Sequence, residues 1–151
     1  FTLQLSHDSG FEIGAGIEEV NTNSALVNAQ GVDRVTGYVK YAVGGLTLAY
    51  QEAFENAATS AAVDTGADRE AEFMGVAYTM DDLTLSYATS EFNTRALSDT
   101  AASVAQELTS IQAAYVMGAM TVSLALSETD NLGGTAGAKY EENTLAVSFA
   151  F

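Results

Sequence analysis

Apolar residues recur at every second position through most of this chain, and the alternation is interrupted by two-residue turns. Three segments show it most clearly: Tyr41 to Tyr50, Tyr78 to Tyr87, and Tyr115 to Leu124, spaced 37 residues apart. Each has an alternating run, two turn residues (Gly44-Gly45, Asp81-Asp82, Gly118-Ala119) and the same alternation returning. Period two is the signature of a strand with one apolar face, and a two-residue turn between two such runs predicts a β-hairpin. Extending the pattern predicts about nine strands: Phe1 to Ser6, Phe11 to Glu19, Arg34 to Val43, Leu46 to Phe54, Glu70 to Met80, Leu83 to Phe92, Glu107 to Met117, Met120 to Glu128, and Asn143 to Phe151. Long polar loops are expected between them at Asn21 to Asp33, Glu55 to Arg69, Asn93 to Gln106 and Thr129 to Glu142.

Parity assigns the side chains to faces. One face is bulky and apolar, with Val39, Tyr41, Leu48, Tyr78, Leu85, Tyr115 and Val147. The other is small and polar, with Thr36, Tyr38 and Lys40, then Thr47, Ala49 and Gln51, then Thr84, Ser86 and Ser90. A sandwich fills its inner face with bulk to make a packed core. Bulk on one face and slim hydroxyls on the other suggest instead a barrel turned inside out, with short periplasmic turns and long outer loops. The expected fold is therefore all-β: a single-domain (residues 1–151), antiparallel transmembrane β-barrel, or part of one. An antiparallel barrel needs an even strand number, so nine visible strands imply at least one more. A first residue of Phe rather than Met agrees with a trimmed or incomplete chain.

On this reading Tyr41, Tyr78, Tyr115 and Phe149 form an aromatic girdle just above the turns, where an amphipathic ring suits a lipid boundary. Carboxylates (Glu19, Glu70, Glu72, Glu91, Glu107, Glu128) end the apolar face at its other side, with Glu52 and Glu72 nearest the lipid. They are either a solvated rim or subunit contact, or ligands for cations that bridge lipid phosphates.

Charge and composition exclude several classes. Twenty acidic residues against five basic give a net charge of -15, which argues against a nucleic-acid partner. With no Cys and the single His7, thiolate metal sites and a Ser-His-Asp triad have little to build on. Glu18 and Glu19 are adjacent in a strand and face opposite ways, so they make no acid/base pair. No enzyme activity and no cofactor are expected; calcium in loops such as Asp64 to Glu72 is left open, and the metal ligands are unknown.

The segment Phe1 to Gly16 (FTLQLSHDSGFEIGAG) resembles the early strands of general bacterial porins, particularly the alphaproteobacterial type. The segment Thr144 to Phe151 (TLAVSFAF) resembles the terminal strand of outer-membrane barrels, where the closing Phe151 would be the signal for the barrel assembly machinery. The Gly-rich stretch that leads into the family's constriction loop is not found between Val20 and Arg34. The resemblance implies a sixteen-stranded barrel, a homotrimer in the outer membrane of a Gram-negative bacterium, contact with lipopolysaccharide, and passive diffusion of small hydrophilic solutes and ions through a water-filled channel; the excess of acidic residues predicts that the channel prefers cations. It makes Arg34, Thr36, Tyr38, Lys40, Gln51, Thr84 and Ser86 the pore-lining candidates. Two other functions stay open: a small outer-membrane barrel acting as anchor or adhesin, and a soluble acidic β-domain that binds ligand or calcium.

Overall fold

In a computed structural model, residues 1–20, 32–56, 67–96 and 104–150 are described. They form nine strands: β1 (Thr2–Ser6), β2 (Phe11–Val20), β3 (Val32–Val43), β4 (Leu46–Asn56), β5 (Ala67–Met80), β6 (Leu83–Ala96), β7 (Gln106–Met117), β8 (Met120–Asp130) and β9 (Lys139–Phe149). A short 3-10 turn, Leu132–Gly134, lies between β8 and β9. Several strands outrun their alternation. β3 begins at Val32, β5 begins at Ala67, β6 reaches Ala96 and β9 begins at Lys139. Backbone pairing continues as long as a neighbour offers partners, whatever the side chains are.

The three repeated turns share one geometry. Gly44, Asp81 and Gly118 have φ of 56°, 50° and 59°, while the residue after each has none of this left-handed character. A positive φ at the first central position alone marks the II′ turn, whose twist matches the flanking strands. The first hairpin uses a longer turn. Ser9 N–H donates to His7 Nδ1 (3.1 Å) and the Ser9 hydroxyl lies 2.9 Å from the same nitrogen, so the one imidazole is a turn element. Gly10 closes that turn at φ 87°, and an added Cβ there would collide with the Ala42 carbonyl oxygen.

The nine strands make one antiparallel sheet in the order β1-β2-β3-β4-β5-β6-β7-β8-β9. This overturns the closed barrel. Among the described residues β1 and β9 each pair with a single strand, on one side only. The reason is parity: strands one and nine of an antiparallel series run in the same direction, so they cannot complete an antiparallel wall. Without a closed wall the described residues enclose no lumen. The transmembrane barrel, the porin and channel function and the outer-membrane location that followed from them are therefore corrected to an open, all-β antiparallel sheet. Among the described residues no helix is long and apolar enough to cross a membrane, a statement that leaves strands aside.

The sheet is one layer thick. Among the described residues no apolar side chain is buried; only Gly16, Ser110 and Thr129 are. Register lines the bulky residues up from strand to strand, as in Phe11–Tyr41–Leu48–Val76–Tyr87–Ile111–Leu126. The apolar belt crosses the strands obliquely. The row that contains Leu3 in β1 arrives at Lys139 in β9, whereas the apolar residues of β9 are Leu145, Val147 and Phe149.

The turn geometry yields a test. Asp81 carries a left-handed φ that glycine adopts freely and other residues adopt at a penalty of about 1 kcal/mol. Asp81→Gly should raise the unfolding free energy obtained from urea titration by about that amount, while Asp82→Gly should not. Equal effects from the two would refute the turn assignment.

Candidate functional site

The polar face carries the site. Two adjoining rows run across it near the ends of the long loops. One is Thr2–Gly16–Thr36–Ala53–Ala71–Phe92, the other Glu18–Arg34–Glu55–Arg69–Thr94. The first row is mostly small, and the space above it is a hollow of about 1090 Å³ lined by both rows. Phe92 closes one end of the small row.

From Glu18 to Arg69 the second row alternates in sign, and each step is an ion pair. Arg34 Nη1 donates to Glu18 Oε2 at 3.0 Å, Arg34 Nε donates to Glu55 Oε2 at 2.8 Å, and Arg69 Nη1 donates to Glu55 Oε1 at 2.8 Å. Cross-strand spacing of about 4.8 Å puts successive side chains within reach of one another. Glu55 is the most shielded member, its side chain 22% exposed, against 48% for Arg34, 54% for Arg69 and 61% for Glu18. The ends of the row are therefore the parts open to a ligand. The hydrogen bond from Arg34, reinforced by Arg69, holds the Glu55 carboxyl below its ordinary value against a smaller opposing effect of burial. A carboxylate saturated by two guanidinium groups is no general base, so the row can hold charges but is not arranged to move protons.

A second cluster adjoins it on the same face. Tyr38 donates its hydroxyl to Glu12 Oε1 (2.8 Å), and Lys40 Nζ lies 3.7 Å from Glu12 Oε2. The Tyr38 ring lies over Gly14, where any Cβ would strike it. The bond to Glu12, aided by desolvation, raises the Tyr38 phenol above its ordinary value. Gln51 Nε2 donates to Thr36 Oγ1 (3.1 Å), and Thr36 Oγ1 donates to the Glu52 carbonyl (3.0 Å).

The structure thus brings Arg34, Thr36, Tyr38, Lys40 and Gln51 together on one face. Thr84 and Ser86 share that face but sit near the tight turns, where Thr84 and Thr79 hydroxyls lie 3.1 Å apart. Ser86 is about 27 Å along β6 from the end of the charge row at Thr94. A pore-lining role for all seven has no lumen to refer to. Tyr41, Tyr78, Tyr115 and Phe149 lie on the other face, in successive rows of the oblique belt, each exposed. Phe151 lies outside the described residues.

Three features escaped sequence reasoning. Arg69, expected in a loop, lies in β5 and ends the charge row. Of the carboxylate partners, Glu12 was not singled out, Glu18 was read only as facing away from Glu19, and Glu55 was expected in a loop but lies in β4. Phe92 and Ala71 had no signal beyond parity. For calcium, residues 64–66 lie outside the described residues and Ala67 to Glu72 is strand. Among the described residues no group of three His, Cys, Asp or Glu side chains is placed to hold a metal ion.

No protein-family model, curated protein or solved structure matches this chain. The resemblance to general bacterial porins therefore finds no support and is withdrawn. The fold and site define an open, single-layer antiparallel sheet with a charged hollow on its polar face.

Two titrations check this geometry. The Glu55 pKa lies below its ordinary 4.5 when folded. Its contribution to stability is then complete above the unfolded value and is lost as pH falls through the lower folded value. Glu55→Gln should flatten the decline in stability on acidification; an unchanged decline would mean the ion row does not hold in solution. On the apolar face, Tyr50 donates to Glu52 Oε1 at 2.6 Å, and this bond first, with desolvation and the charges of Glu52, Glu72 and Glu70, pushes its phenol up to about 12. Phenolate absorbance should show one tyrosine ionising there, and Glu52→Gln should bring it down toward the ordinary 10. Should Glu52→Gln leave the titration unmoved, the Tyr50–Glu52 bond is wrong.

Proposed function

We propose that the chain is an acidic β-sheet binding domain that holds a small hydrophilic ligand in the hollow on its polar face and performs no chemistry on it. The observation that carries this reading is the alternating row Glu18–Arg34–Glu55–Arg69 beside a hollow of about 1090 Å³. The internal members of the row neutralise one another. Its ends, the Glu18 carboxylate and the Arg69 guanidinium, are each paired on their inward side only and are the most exposed members, so each keeps an outward side for a ligand. They are three strand steps apart, about 14 Å. A ligand with an ammonium at one end and a carboxylate at the other fits that span, and an extended peptide of about four residues has that length. The small hydrophilic solutes expected from the sequence carry over to this reading as ligands. The homotrimer, lipopolysaccharide and assembly machinery entered with the barrel and form no part of it.

Both ends are exposed and screened by water, so each contributes modestly. Tetra-alanine titrated into the chain, followed by calorimetry or amide chemical shifts, should bind weakly, and tetra-alanine capped at both ends should bind less well. Glu18→Gln and Arg69→Gln should each weaken binding by about two- to fivefold. Equal binding of free and capped peptides would sink the proposal.

A further inference from the structure

The opposite face, independently of that reading, combines two features. The oblique apolar belt spans all nine strands, about 38 Å across the sheet, and on β5 it runs from Met74 to Met80, about 20 Å along the strand. That is about 800 Å², the size of one side of a standard protein interface. Along the loop-side border of the belt, on the same face, Glu52, Glu72, Glu91, Glu107 and Asp130 stand directly opposite one another at one register across five strands. Like charges placed so weaken a sheet.

At the centre of the row, for Glu72, Glu91 and Glu107, nothing described on this face relieves that repulsion; Glu52 accepts the Tyr50 hydroxyl, and Arg95 stands opposite Asp68, two rows away. Arg34, Lys40 and Arg69 lie on the other face and are engaged there. Lys139 ends the row but is taken by Asp130 (2.7 Å) and Glu128 (2.9 Å). Among the described residues no cation bridges Glu72, Glu91 or Glu107. These three carboxylates border a cleft of about 200 Å³, which Met74, Thr89 and Thr109 of the adjoining row also line. A lysine fits such a cleft, its methylene stem on Met74 and its ammonium among the carboxylates. The Tyr50 phenol is raised first by its bond to Glu52 and by desolvation, and the charges of Glu52, Glu72 and Glu70 add to this. A second copy of the chain is the wrong occupant, because each carries a net charge of -15 and would bring an identical carboxylate row.

We propose that this face docks a partner protein whose contact surface is apolar and bordered along one side by lysine and arginine. The belt takes the apolar part and the carboxylate row takes the cations, which both removes the repulsion and sets the orientation of the partner.

The test uses a designed amphipathic helix of leucine and lysine and its leucine–glutamate counterpart, each labelled and followed by fluorescence anisotropy against the whole chain. The lysine peptide should bind at least about tenfold more tightly at low salt, with the advantage shrinking as salt rises. In a chain carrying Glu72→Gln, Glu91→Gln and Glu107→Gln, the advantage should collapse while the unfolding midpoint of the chain itself increases. Should that variant fail to fold, as judged by circular dichroism, the salt dependence of the original chain still decides. Equal binding of the two peptides, or binding of neither, overturns the proposal. So does self-association of the chain in high salt that excludes the lysine peptide, or preferential uptake of the chain by phosphatidylcholine vesicles; these would make the occupant a second copy or a lipid.

Discussion

The ladder of backbone hydrogen bonds between sequence-adjacent strands is what the structure depends on. Each strand pairs with its neighbours in the chain, and no second layer packs on either face among the described residues. With no apolar side chain buried among the described residues, no internal core of theirs fixes the arrangement. Register does. A slip of one residue between two strands would exchange the faces of everything beyond it. The II′ turns at Gly44, Asp81 and Gly118 hold three of these registers, and the Gly10 turn holds the first.

Because side chains follow register, they form rows rather than clusters. The rows segregate charge. Cations and anions alternate on the polar face, from Glu18 to Arg69, and neutralise one another. On the apolar face the carboxylates of Glu52, Glu72, Glu91 and Glu107 line up without such alternation. The same backbone geometry therefore makes one row self-sufficient and leaves the other in want of counter-charge. Small residues follow the same logic: Gly14 gives room to the Tyr38 ring and so places the hydroxyl on Glu12, while Gly16, Ala53 and Ala71 leave the hollow open.

The open sheet also explains why this chain is acidic and apolar at once. Burying a Leu, Phe or Met side chain is worth about 1.5–3 kcal/mol, and the belt leaves Leu145 70% and Phe149 59% exposed. A patch of that extent marks a surface that meets something other than water alone. Its carboxylate border restricts what that can be, since an occupant that is apolar only would leave the row's repulsion in place.

The chain by itself determined what is local. Alternation located the strands, Gly-Gly, Asp-Asp and Gly-Ala located the turns, and parity put Arg34, Thr36, Tyr38, Lys40 and Gln51 on one face, because side-chain direction in a strand depends only on odd or even position. Parity also separated Glu18 from Glu19, which the structure places in different rows on opposite faces. Tertiary structure decided everything that depends on two distant segments. Pairing across the long loops set which residues stand opposite, so Glu55 came between Arg34 and Arg69, and Arg69 proved to lie in a strand rather than a loop. Closure was likewise undecidable from alternation, since a strand with one bulky face looks the same in a barrel wall and in an open sheet. Only the pairing order, with β1 and β9 parallel and each bonded on one side, showed that the sheet stays open.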